Sequence, residues 1–421
     1  MTARESAMST GRESAMSTGR ESAMSTGREP GLAVATTRRL TGPVDLLDSL
    51  GPDGFAWFAG GEELVTAGVA AVVDPGDAVA FLGSLERAGA TGGRGARAVG
   101  ALPFAGAGQG RLVVPARIVE RDASGNVWST TVAPAMRGAA AAPPPRGRIA
   151  RRFTVEARQG LDEWDAMVTA ALALIETDEL EKVVLAREVF VEADAPFEPA
   201  TIIERLRATQ PDCIVYAAGG FVGASPELLV RRAGTDVVSQ PMAGTVPRAA
   251  SPDADHRSIA RLVSSVKESR EHRLVVDAVA GELARWCRDV VVGEPEPKRL
   301  TTVTHLTTRI SGTLRASDRS AADLALALHP TPAVNGAPRP GALAAIARLE
   351  RFDRGAYSGP VGWVDASGDG EFAVAIRGAT LDGHRARLLA GAGIVAGSDP
   401  DAEWAETQAK LEPMLRALVR P

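Results

Sequence analysis

Two stretches of the sequence stack carboxylates along one side of a helix. In Lys267-Glu-Ser-Arg-Glu-His272, Glu268 and Glu271 stand at i and i+3. In Glu403-Trp-Ala-Glu-Thr-Gln-Ala-Lys410, i+3 and i+4 spacing brings Glu403, Glu406 and Lys410 together. Two helices that each present carboxylates suit a hard, octahedral Mg2+ ion, which takes few protein ligands and keeps several waters. The ordinary alternative for each stretch is a solvated face of side-chain ion pairs.

An acid and a base are also on offer. Lys182 opens an apolar run, 181–191, and Glu227 sits within Gly223-Ala-Ser-Pro-Glu-Leu-Leu-Val230. Loss of water disfavours the charged form of either residue type, so a buried lysine can accept a proton near neutral pH and a buried carboxyl can donate one. Otherwise both are charges at strand edges. Gly391-Ala-Gly-Ile-Val-Ala-Gly-Ser-Asp-Pro400 ends at a helix start, and Gly244-Thr245 follows Pro241. Both are places where a ligand can approach bare backbone, or simply turns. His272 and His305 are either ligands or packed histidines with one hydrogen bond. No GxGxxG, GxxxxGK[ST] or GxSxG motif is present, and neither Cys213 nor Cys287 has an activating motif around it. Nucleotide binding and nucleophilic serine or cysteine catalysis are therefore disfavoured.

The elements that must position these groups follow from periodicity and turn residues. Residues 31–135 read as strand-rich, with 111–120 and 127–132 forming a hairpin around the turn 122–126. AAAAPPPRGR, 139–148, is a loop. Beyond it, helices are predicted at 160–180, 200–209, 253–289, 321–328, 340–349 and 399–419, the last capped by Ser398 or Asp399. Strands are predicted at 181–191, 212–220, 225–232, 237–243, 302–312, 359–365, 371–381 and 386–392. Strands outnumber helices and hairpins recur, so the expected class is α+β: a large, mainly antiparallel layered sheet with helices on its outer faces.

Composition narrows the function further. The chain has 421 residues, 45% hydrophobic and 24% charged, which is enough apolar mass for a sizeable core. Its 47 basic and 52 acidic residues leave a net charge of −5, so no global basic field points to nucleic acid. Two cysteines exclude a disulfide framework and a cysteine zinc cluster. The absence of a long apolar run argues against a membrane partner. ESAMSTGR occurs three times in tandem, from Glu5 to Arg28. These repeats lack aromatic and branched aliphatic residues, so residues 1–30 are expected to be a disordered tail and not a secretory signal.

The order of the motifs is far more specific than any one of them. Lys182-Val-Val-Leu-Ala-Arg187, Ser225-Pro-Glu-Leu-Leu229, Pro241-Met-Ala-Gly-Thr245, Glu271-His272, His329-Pro-Thr-Pro-Ala-Val-Asn-Gly336, Asp353-Arg-Gly-Ala-Tyr357, Ala375-Ile-Arg377, Gly391-Ala-Gly-Ile-Val395 and Glu403–Lys410 follow one another. Together they resemble the chorismate-utilising enzyme family and, within it, the isochorismate synthases. The resemblance covers roughly 160–415. It is only general over 31–150 and absent over the repeats.

The resemblance implies one catalytic domain over 31–421, with a variable strand-rich part at 31–150 and a catalytic core at 151–421. Two mainly antiparallel sheets would pack together, helices outside. It implies Mg2+ on the ring carboxylate of chorismate, held by Glu271 and Glu406 with Glu403 nearby. Lys182 would activate water and Glu227 would protonate the departing C4 hydroxyl. Arg377 and Tyr357 would hold the pyruvyl carboxylate. Gly244, Thr245, Gly391 and Lys410 would cradle substrate, and His305 would line the ring pocket. A cytoplasmic monomer without a glutaminase subunit is the family expectation, feeding menaquinone or siderophore synthesis.

Relatives with other chemistry differ at single positions. Anthranilate synthases lack a lysine where Lys182 stands. Aminodeoxychorismate synthases often carry a lysine where this chain has Ala243. Salicylate synthases keep both acid and base and then eliminate pyruvate, so they are the close alternative; the run His329–Val334 looks more like isochorismate synthases. A silent chorismate-binding protein is the alternative of another class, disfavoured because Lys182, Glu227, Glu271 and Glu406 are all retained.

Overall fold

The computed structural model describes residues 33–90, 95–136, 149–249 and 251–419. The octapeptide repeats and the loop 139–148 lie outside the described residues.

Three sheets organise the described residues. A thirteen-stranded sheet begins at the edge strand Phe153–Ala157 and runs through Lys182–Ala193, Arg385–Ile394, Gly378–Asp382, Phe221–Ser225 and Ile214–Ala218. It continues into strands of the N-terminal part, from Ala56–Ala59 to Glu86–Gly89. A nine-stranded sheet has Leu228–Ala233, Gly370–Val374 and Pro360–Asp365 at its middle. Met242–Pro247, Val303–Thr307 and Glu296–Arg299 make a small third sheet. Pairing is almost all antiparallel; Val34–Leu40 lies parallel to Glu86–Gly89.

The core explains the layering. Trp57, Ile118, Ala186, Tyr216 and Leu389 of the first sheet pack against Val99, Val361, Trp363 and Ala373 of the second, forming an apolar layer between them. Helices Pro199–Thr209 and Pro400–Val419 cover the first sheet's far face with Ile203, Leu411 and Met414. Helices Val266–Trp286 and Ala321–Leu328 cover the second with Val275, Leu283 and Leu324. A strand covered on both faces has no solvent side to alternate with, which is why Lys182–Ala193 is buried at nearly every position. The α+β class and the outer helices agree with the sequence expectation.

Four predicted elements divide where the sequence showed one. The run 253–289 is two helices, Pro252–Ser264 and Val266–Trp286, followed by a strand, Cys287–Val292. Ser265 separates the helices: its side chain accepts the Glu268 amide at 3.2 Å and caps the second. Ser265-Val-Lys-Glu268 is the Ser-x-x-Glu start signal, hidden inside an unbroken apolar period. The run 111–120 is Leu112–Val114 in the nine-stranded sheet and Arg117–Arg121 in the thirteen-stranded one, separated at Pro115, which has no amide for a ladder. Arg117–Arg121 and Val127–Ala133 do form the expected hairpin. The run 302–312 is Val303–Thr307 in the small sheet and Ile310–Leu314 in the nine-stranded one. The run 371–381 is likewise Gly370–Val374 and Gly378–Asp382 in different sheets.

These crossings matter for chemistry. Arg377 sits in the crossing before Gly378, in the left-handed region at φ 57°. Glu227 sits in the crossing between Phe221–Ser225 and Leu228–Ala233. Where a chain leaves one sheet for another its side chains are freed from strand alternation, and both residues turn into the cleft between the sheets.

Candidate active site

The cleft, with the solvent at its mouth, spans about 690 Å3. Glu227, Gly244, Thr245, Glu271, His305, Tyr357, Arg377, Gly391, Glu406 and Lys410 all line it. Lys182 and Glu403 do not line it. Lys182 reaches the cleft through Glu271, with which it also lines an adjoining pocket.

Lys182 is buried, and its Nζ lies 2.8 Å from Glu271 Oε1. Two elements set that contact. Lys182 begins the strand Lys182–Ala193, and Glu271 lies in the second turn of the helix Val266–Trp286. The neighbouring strand Arg385–Ile394 leaves room for it with a glycine: a Cβ at Gly393 would stand 2.7 Å from Glu271 Oε1 and 2.9 Å from Lys182 Cε. Burial alone would raise the Glu271 carboxyl, but the Lys182 charge and hydrogen bond hold it below its ordinary value.

Glu227 behaves oppositely. Burial pushes its carboxyl up to about 7, against the lowering pull of the Met242 amide, Lys182, Lys410 and Arg377. A carboxylic acid in this range is partly protonated at neutral pH and able to donate. Ser225 Oγ accepts the Glu227 amide at 3.2 Å and fixes the crossing that carries it.

On another wall, Arg377 Nη2 approaches His305 Nε2 at 2.9 Å. A guanidinium only donates, so Nε2 accepts and Nδ1 carries the ring proton. Nδ1 faces the Gly244 carbonyl at 3.4 Å and Thr245 Oγ1 at 3.0 Å, which fits that tautomer. Burial, then the Arg377 and Lys410 charges, hold His305 well below its usual range, so it stays neutral. The Thr245 amide in turn donates to Glu268 Oε2 at 3.0 Å. Gly244 has φ 76° at a register shift between Ala243 and Thr245, a conformation open to glycine. Tyr357 is buried beside Gly391, where a Cβ would come within 3.4 Å of its hydroxyl.

The acidic groups gather on two helices. Asp399 caps Pro400–Val419 by accepting the Asp401 and Ala402 amides. Along that helix Lys410 Nζ bonds Glu406 Oε1 at 2.5 Å and the Gly391 carbonyl at 2.8 Å. Glu403, facing Lys267 at 3.6 Å, is pushed up to about 7 by burial and then by Glu406. Glu268 is pushed up by burial and then by Glu271. Among the described residues no three carboxylate, imidazole or thiol groups converge tightly enough to hold an ion as the side chains stand. The donor chemistry nonetheless fits a hard divalent cation. All four groups are oxygen donors, two are strained by like charge, and Glu271 and Glu406 each have a lysine for counter-charge.

The fold gives four residues parts that the sequence did not show. Glu268 was visible as a face-mate of Glu271, but its bond to Thr245 needed the fold. Gly393 lies in the quoted Gly391-Ala-Gly motif, yet only the pairing Val184↔Gly393 shows what it makes room for. Glu350 and Arg354, a buried pair 2.5 Å apart, bind strand 182–193 to the turn before Tyr357: Glu350 accepts the Ala186 amide and Arg354 donates to the Val184 carbonyl. His272, by contrast, is a packed histidine bonded to Thr308 at 2.7 Å and does not line the cleft.

An α+β fold of packed, mainly antiparallel sheets with a buried acid, a buried lysine, an arginine and two carboxylate-bearing helices around one cleft defines an enzyme for a small anionic substrate. The family model described as chorismate binding enzyme matches residues 112–419, and the chain belongs to that family. It is 42% identical over 334 residues to a putative isochorismate synthase MenF of Mycobacterium tuberculosis, covering 76% of this chain and 86% of that protein. It is 41% identical over 282 residues to the isochorismate synthase EntC of Escherichia coli, covering 63% and 72%. Among solved structures it resembles MenF, the menaquinone-specific isochorismate synthase of Escherichia coli, with a TM-score of 0.79 at 27% identity over 92% of this chain and 95% of that one. Among the described residues no helix is long and apolar enough to cross a membrane.

Proposed function

We propose that this chain is an isochorismate synthase, converting chorismate to isochorismate by adding water at C2 and losing the C4 hydroxyl. The observation that carries the reading is Glu227, a buried carboxyl with a pKa of about 7, within electrostatic reach of the buried Lys182. An allylic exchange of this kind needs an acid at one end and a base at the other.

The chain's own groups divide the work. Arg377, positioned by His305, grips the pyruvyl carboxylate, with Tyr357 beside it. Gly244, Thr245 and Gly391 let the ring approach the backbone, and Lys410 adds positive charge that an acidic protein must concentrate locally. Glu227 gives its proton to the C4 oxygen, which departs as water. Lys182 acts as the base and takes a proton from the water that bonds to C2 as the double bonds shift. Glu227 ends as carboxylate and Lys182 as ammonium, and exchange with solvent resets both. Glu271 and Glu406, with Glu403, would hold Mg2+, which neutralises and orients the ring carboxylate when bound.

We read 31–421 as a single catalytic domain, acting in the cytoplasm as a monomer without a glutaminase subunit; the compact packing of the described residues from Ala33 onward supports the single domain. Incubation with chorismate and Mg2+, with products separated by chromatography, tests the activity. Isochorismate alone is the expected product. Salicylate with pyruvate would transfer the chain to the salicylate synthases, and no turnover would leave a silent binder.

A further inference from the structure

Arg187 is fully buried, yet it does not line the cleft and, among the described residues, touches no acid. It stands on strand Lys182–Ala193, five positions from Lys182 and so on the opposite face. Its Nε donates to Thr407 Oγ1 at 2.7 Å, and its Nη2 donates to Gln408 Oε1. Its guanidinium lies 3.8 Å above the Trp404 ring. Burial lowers its pKa to about 10, and no acidic side chain among the described residues offsets that. A charge kept in the interior with only neutral partners is costly, so its geometry has to matter.

All three partners lie on the helix Pro400–Val419, which carries Glu403, Glu406 and Lys410. At 3.6 residues per turn, Trp404, Thr407 and Gln408 form the flank beside the face bearing those three groups. The same flank is held at its start: Trp164 Nε1 donates to the Pro400 carbonyl at 3.0 Å, and Trp164 meets Trp404 edge-on at 6.2 Å. Thr407 and Gln408 sit side by side, so a rigid planar fork holding both blocks rotation of the helix about its axis. Stacking on Trp404, one turn earlier, blocks sliding along it. A rotation of about 20° would swing a carboxylate at the helix surface by about 2 Å.

We propose that Arg187 is a positioning residue that sets the rotation of the C-terminal helix, and through it the placement of Glu406 and Lys410 in the cleft. The inference rests on the isochorismate synthase reading for the roles of those two groups. A single strand then orients both halves of the site, with Lys182 on one face and Arg187 on the other. Lysine cannot replace Arg187, because it lacks the fork and the planar stack.

Arg187→Lys and Thr407→Val approach the contact from its two ends. Each is assayed for kcat and KM with chorismate, for Mg2+ affinity by calorimetry without substrate, and for Tm. Since a displacement of about 1 Å can cost about 100-fold in rate, kcat/KM should fall at least tenfold in each. Mg2+ affinity should fall severalfold with it, and the double variant should be no worse than the poorer single. Wild-type kinetics and Mg2+ affinity in a folded Arg187→Lys would overturn the proposal. If that variant does not fold, the same wild-type values in Thr407→Val overturn it. A lowered Tm with unchanged kinetics and Mg2+ affinity reduces Arg187 to a packing residue and overturns it equally. If the wild-type chain turns over no chorismate, the functional reading fails instead; the Mg2+ titrations then decide the positioning claim.

Discussion

Lys182 Nζ and Glu271 Oε1 meet at 2.8 Å in a pair almost closed to water. One proposed catalytic group is thereby tied to one proposed metal ligand, and removing either leaves the other buried without its partner. Loss of a buried partner is costly. Lys182→Met, which keeps the stem and removes the amine, should lower kcat by about 100–10,000-fold, the usual contribution of a positioned base. Product chromatography measures the rate and circular dichroism checks the fold. Turnover near wild type would remove Lys182 from the mechanism.

Glu227 ties activity and stability to pH with a definite sign. Its folded pKa, about 7, is above its ordinary value of 4.5. The stability it contributes is full below about 4.5 and is lost as pH rises through 7. As the acid it must be protonated, so kcat should fall as pH rises above about 7. Glu227→Gln should lose about 100–10,000-fold in kcat and, at pH 8, unfold at a higher Tm than wild type. A Tm for Glu227→Gln below wild type at pH 8 would contradict the burial argument.

Gly393→Ala tests the space around the pair with one methyl group. The new Cβ would press on Glu271 Oε1 and Lys182 Cε, both near the ends of side chains and neither part of the backbone. The fold can yield there while the chemistry is displaced. We expect at least a tenfold loss in kcat/KM with Tm nearly unchanged. Kinetics close to wild type would mean that the pair tolerates displacement.

Arg377→Lys should act on binding. The guanidinium holds His305 Nε2 at 2.9 Å while lining the cleft, and its several donors suit a double task that a single ammonium cannot perform. KM for chorismate should rise about 10–100-fold, the worth of a hydrogen bond to a charged group, with a smaller change in kcat. An unchanged KM would place the pyruvyl carboxylate elsewhere.

Glu406→Gln and chelation address the metal together. The substitution removes one charge from the acidic group that raises Glu403, so the Glu403 carboxyl should titrate lower in the variant. Calorimetry should show Mg2+ binding at least tenfold weaker than in wild type, and chelator should abolish wild-type turnover until Mg2+ is restored. Full turnover in excess chelator would dispose of the metal requirement.

Much of this protein was legible in its sequence, for local reasons. Helical spacing placed Glu268 with Glu271 and Glu403 with Glu406 and Lys410, because a helix dictates its own neighbours. Asp399-Pro400 marked a helix start by its chemistry, and the order of motifs brought Lys182, Glu227, Arg377 and Gly391 into one list. The divisions at Pro115, Thr308 and Ile376 were not legible, since a strand that changes sheets keeps its apolar composition while its partners change. The crossing at Ile376 aims Arg377 into the cleft, as the one after Ser225 aims Glu227. Tertiary structure alone paired Lys182 with Glu271 and gave Gly393 its purpose. It also showed Glu227 dry enough for burial to raise its carboxyl to about 7, and Arg187 gripping the helix of Glu406. Each depends on which atoms from distant parts of the chain exclude water together, and that follows from packing and not from spacing.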